Sequence, residues 1–155
     1  MMSEAIFNDM DLEPIMVKIM DKEEGLGWSL EFTKRVAHEY RKYLVLCKEN
    51  PDSAIVPSSF VDDFWHFHIL DTQKYQEDCD QFFGYFLHHF PYFGMRGKEE
   101  NLKSAWTESC AIYEGRFGDL PKDLWLVSKR CPNCGRRCND AKYSMAQRPR
   151  LTMAV

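Results

Sequence analysis

No apolar run in these 155 residues approaches the roughly 18 residues that a membrane-spanning helix needs. The opening stretch, Met1-Met2-Ser3-Glu4-Ala5, is acidic and has no basic segment leading into an apolar one, so a secretory leader is not expected and the chain reads as cytoplasmic. The glycine-rich phosphate loops of nucleotide enzymes and the nucleophile elbow of serine hydrolases are both missing, which argues against those chemistries. Nothing repeats internally, which excludes a solenoid. In a reducing cytosol the six cysteines are expected as thiols or metal ligands rather than disulfides.

What the chain does have is apolar residues, 45% of the total with 14% aromatic, enough for a well-formed core. Its charge is uneven. From Ser128 onward seven Lys and Arg stand against Asp140, giving that stretch +6. From a total of −4 this leaves −10 on the preceding 127 residues. An acidic body with a basic tail suits contact with a protein or nucleic acid through the tail, or simply a solvated terminus. The expected organisation is a helical domain over 1–127 and a basic, cysteine-rich tail over 128–155.

Helical periodicity runs through most of the body, and the expected fold is all-α: a compact bundle of four to six helices with a small C-terminal cysteine-rich appendage. Residues 1–13 are weakly patterned and expected to be loose. Pro14 opens a short helix that Gly25-Leu26-Gly27 breaks. Ser29 caps the next, to about Lys48, with Thr33, Val36, Ala37, Tyr40, Leu44 and Cys47 inward. Cys47 is read as a small buried hydrophobe and His38 as a helix-edge residue. Ser58-Ser59 caps a helix with Phe60, Val61, Phe64, Trp65, His68 and Ile69 on one stripe. It either restarts at Asp71-Thr72 or runs on, to about Phe83, and Gly84 stops it. Residues 85–97 read as an aromatic loop folded over the core, Lys98 to Phe117 as a helix, and 120–126 as a short helical docking segment.

Chemistry concentrates between Asp62 and His89, which hold four of the five histidines. Asp62, His66, His68, Tyr75, Asp78, Cys79, His88 and His89 are too many polar groups to bury among aromatics without partners. A metal site, a metal-free polar network and a surface scatter each answer that. On a regular helix His66 and His68 lie about 200° apart, so they cannot share one ion; a strand over 64–69 would place them side by side, but the flanking pattern disfavours it. Asp62 and His66 form an i, i+4 pair in which the carboxylate could orient the imidazole. A kink at Leu70-Asp71 would let Cys79 and His88 or His89 approach His66 or His68. The candidate metal ligands are therefore His66, His68, Cys79, His88 and His89, with Zn²⁺, iron or copper as the ion. Asp62 and Asp78 are candidate bases, and Tyr75 a candidate acid or orienting group.

Trp65-His66-x-His68, followed by Tyr75, Asp78-Cys79 and Gly84, resembles the W-H-x-H…Y-x-x-D-C…G signature of the glycine-rich domain-containing protein-like family, with the likeness running over residues 30–118. The resemblance implies a mostly helical domain in which His66, His68, Tyr75, Asp78 and Cys79 matter. Plant members are linked to stress and development, and RNA binding is suspected for some. The glycine-rich region that names the family is missing here, so that part of the inference does not carry over.

Near the C-terminus, Cys131-Pro132-Asn133-Cys134-Gly135 is the turn of a zinc ribbon, with Cys138 as a third thiolate. Cys131, Cys134 and Cys138 make an incomplete Zn²⁺ site whose fourth ligand would be Cys110, Cys79, a histidine, a second chain or water. An unstructured thiol tail is the alternative. The sequence thus supports a metal-binding helical module that contacts a partner through its tail. A metal-dependent enzyme built on the central cluster, or nucleophilic chemistry at Cys79, are the competing readings.

Overall fold

In a computed structural model, residues 2–92, 99–126, 148, 150 and 151 are described. They form six helices and no strand: α1 Met2–Asn8, α2 Glu13–Met20, α3 Leu30–Glu49, α4 Ser59–Leu70, α5 Thr72–Phe82 and α6 Glu99–Phe117. The fold is all-α, as expected. The tail cysteines Cys131, Cys134 and Cys138 lie outside the described residues.

α3 is the axis of the bundle. Ser29 caps it by accepting the Phe32 N–H at 3.2 Å. Ten of its residues are buried, more than one amphipathic stripe supplies, because α1, α2 and α4 all pack on it. α6 reaches it from a further side. There the buried Glu39 carboxylate accepts from the Tyr113 hydroxyl at 2.7 Å and the Trp125 indole N–H at 2.8 Å. Trp125 closes the 120–126 segment, which is a turn on Pro121 rather than a helix.

The N-terminal stretch is not loose: it forms α1. Its main anchor is Phe7, which is fully buried with its ring meeting Phe82 and Phe83, centroids 5.6 and 5.2 Å apart, and Met10 and Leu12 follow it into the core. The apolar residues of this short acidic segment, Ala5, Ile6, Phe7, Met10 and Leu12, follow no clear helical spacing, so the anchor could not be read from sequence.

The break between α4 and α5 positions the site. Asp71 both ends α4 and caps α5, its side chain accepting the Lys74 N–H at 3.2 Å. α5 ends where Phe83 and Gly84 both donate to the Cys79 carbonyl, with Gly84 at φ +79°, a conformation that favours glycine. The chain then turns back along α4 as an extended loop over 84–92.

Candidate metal centre

Asp62 lies in the first turn of α4 and His66 one turn later, so both face the same way. His89 comes from the loop after α5. Its Nε2 lies 3.0 Å from Asp62 Oδ1 and 3.0 Å from His66 Nε2, and His66 Nε2 lies 3.4 Å from Asp62 Oδ2. The three residues form a group able to hold a metal ion. The Asp62 and His89 side chains are 4% and 9% exposed, whereas His66 is 36% exposed, so the cluster is closed on the protein side and open along one imidazole.

The spacing has a physical meaning. A neutral imidazole nitrogen offers either one proton or one lone pair in the ring plane. One proton cannot serve both the Nε2–Nε2 contact and the Nε2–carboxylate contact in line. A cation at the centre can satisfy all three lone pairs. For metal–nitrogen bonds of 2.0–2.1 Å in a tetrahedral shell, neighbouring donors lie about 3.3 Å apart; the observed contacts of 3.0 and 3.4 Å lie near that, with the carboxylate meeting the two rings through different oxygens.

Around this cluster sits a clamp made by the rest of the motif. The Tyr75 hydroxyl accepts from the Trp65 indole N–H at 2.9 Å and donates to the Leu87 carbonyl. Cys79 Sγ accepts the Leu87 backbone N–H at 3.5 Å. Both backbone groups of Leu87 are thus held by α5 side chains, two residues before His89. Residue alternation then turns Leu87 and His89 inward and His88 outward, where it is exposed and rests on Phe86. The His89 ring lies on Trp65, centroids 4.2 Å apart. Burial pushes the Tyr75 hydroxyl and the Cys79 thiol above their ordinary pKa values, so both keep their protons.

His68 faces the opposite side of α4. Its Nδ1 lies 2.7 Å from the Tyr40 hydroxyl and its Nε2 2.8 Å from Asp78 Oδ2, and Lys74 Nζ is 3.0 Å from the same oxygen. The ring is 1% exposed. Both ring nitrogens of His68 are thus occupied, by the Tyr40 hydroxyl and by the Asp78 carboxylate. Burial raises the Asp78 pKa, but the bonds from His68 and Lys74 outweigh it and hold the carboxyl below its ordinary value.

Of the sequence candidates, the fold brings His66 and His89 together and adds Asp62 as a third donor. It sends His68 and Asp78 into a buried network, Tyr75 and Cys79 into the clamp, and His88 to the surface. The i, i+4 spacing of Asp62 and His66 was the available signal for the carboxylate's place in the cluster. The choice between His88 and His89 had none until the loop's direction was known.

Residues 3–118 match the family described as UCP032817-like. Among curated proteins, Glycine-rich domain-containing protein 1 of Arabidopsis thaliana is 30% identical over 91 residues, covering 56% of this chain and 11% of that protein. Glycine-rich domain-containing protein 2 of the same plant is 29% identical over 91 residues, covering 56% and 12%. The chain therefore spans only about a ninth of the length of these relatives. No solved structure matches.

Proposed function

This chain belongs to the UCP032817-like family, and from that premise and the geometry of its central cluster we propose that it is a metal-binding helical module. Asp62, His66 and His89 would hold one divalent transition ion and tie the 84–92 loop to α4. The observation that carries this reading is the triangle of two Nε2 atoms and a carboxylate at coordination-edge spacing. Imidazole with carboxylate suits Zn²⁺ and Fe²⁺, both of which accept such mixed sets.

The half-exposed edge of His66 supports a second reading, a metal-dependent enzyme. Three protein donors leave room for water or a substrate atom, as in catalytic zinc and non-haem iron sites. In that case Tyr75 and Asp78 are not the reagents, since both are committed to buried hydrogen bonds. Contact with a protein or nucleic acid through residues 128–155 rests on the charge asymmetry alone. It predicts oligonucleotide binding that weakens steeply with salt and is lost on deleting the tail.

Metal content of the full chain tests the central proposal. About one equivalent of transition metal is expected at this site. Asp62→Ala and His89→Ala should each remove it, while a Cys131→Ser/Cys134→Ser variant should keep it. Metal retained in the first two and lost in the third would overturn the proposal. In the Co²⁺-substituted protein, a visible-spectrum change on adding azide would reveal the open position that the enzyme reading requires.

A further inference from the structure

Away from the metal cluster, α2, the segment before it and α3 leave a cleft of about 430 Å³ between them. We infer that this cleft is a binding site for an amphiphilic carboxylate, with an alkyl chain on its apolar wall and the head group on Arg41. The volume falls within the range of small-molecule sites. Leu12, Met16, Val17, Met20 and Leu30 form the wall. Val17 and Leu30 are 63% and 48% exposed, so apolar surface faces solvent here. Methionine thioethers adapt to irregular guests. Leu30 and Arg41 both line the cleft, and along α3 they are separated by about 16 Å, a length suited to an extended chain.

Arg41 is the group that asks for an anion. Its Nη2 donates to the Met10 carbonyl at 2.9 Å, but its Nε is buried with no hydrogen-bond partner. A guanidinium has five donors, and burying one without an acceptor is costly. Desolvation pushes the Arg41 pKa below its ordinary value, more than the charge of Asp11 restores it. Asp11, whose charge acts on it, makes no ion pair with it among the described residues; its Oδ1 accepts the Glu13 N–H at 3.0 Å. A ligand carboxylate at the cleft would supply a charged acceptor and counter-charge for the guanidinium. Lys34 adds a second cation to a lining that also holds Asp11 and Glu13, so the head-group preference rests on Arg41 rather than on the net charge of the cleft.

Calorimetric titration of the full chain with dodecanoate, dodecan-1-ol and dodecyltrimethylammonium, each below its micelle concentration, tests this. Saturable binding of dodecanoate is expected, tighter than the alcohol, with no binding of the ammonium compound. Arg41→Gln should weaken dodecanoate about tenfold or more, the loss of a charged hydrogen-bonded partner. Val17→Glu, at an exposed position that the fold does not need, should weaken it as well by placing a carboxylate on the wall. If Arg41→Gln fails to fold, Val17→Glu and the head-group comparison still decide. Equal binding of alcohol and carboxylate, preference for the ammonium compound, or unchanged binding in the variants would each overturn the assignment.

Discussion

At the scale of single residues, the motif around Trp65 divides into three jobs. His66 belongs to the metal cluster, Trp65 with Tyr75 and Cys79 holds the loop that delivers His89, and His68 closes a buried network with Tyr40 and Asp78. Tyr75→Phe separates the second job from the first. It leaves the Trp65 N–H and the Leu87 carbonyl buried without their partner, and should cost about 1–3 kcal/mol by urea unfolding. Metal affinity should fall with it, although Tyr75 touches no proposed ligand atom; unchanged affinity would mean that the clamp does not position His89. Asp78 yields a pH prediction with a definite sign. Its folded pKa lies below the unfolded value, so its stabilising share is complete above about pH 4 and is lost as pH falls through the folded value. The gap in Tm between wild type and Asp78→Asn should therefore narrow on acidification, as measured by thermal melts at pH 6 and at pH 2–3.

At the scale of elements, two glycines make opposite predictions. A Cβ on Gly25 would lie 2.0 Å from the Lys18 carbonyl oxygen and 2.6 Å from that of Ile19, because the loop after α2 folds directly onto its last turn. Gly25→Ala must displace backbone and should cost about 1–3 kcal/mol. Gly115 sits within α6 with nothing within 4 Å of a Cβ. Gly115→Ala should stabilise by up to about 1 kcal/mol through helix propensity. The Glu39 carboxylate, which joins α3 to α6 and to Trp125, is the costliest link between elements. Glu39→Ala strands Tyr113, Trp125 and Lys42 and should cost about 2–4 kcal/mol, with Glu39→Gln milder because it keeps an acceptor. Chemical denaturation of the four variants ranks these effects.

At the scale of the whole molecule, a metal ion would couple the loop over 84–92 to the bundle. An ion that binds only the folded state at 100 times its Kd adds about 2.7 kcal/mol of stability. Zinc should raise Tm in the wild type but not in His89→Ala, and acid should abolish the shift because the ligands must be deprotonated. The helices from α2 to α6 were legible in the sequence because their causes are local. Ser29, Ser58 and Asp71 cap, Gly84 stops, and the inward residues of α3 recur at helical spacing whatever else the chain does. The 200° separation of His66 and His68 was equally local, and it foretold that they would face different partners. What only the tertiary structure decided is what crosses between elements: Phe7 anchoring α1, Asp78 meeting His68, and His89 rather than His88 reaching His66. Those pairings depend on the turn after Phe83 and on the two hydrogen bonds that hold Leu87. Sequence spacing sets which side chains share a helix face, but it carries no information about which face a returning loop will meet.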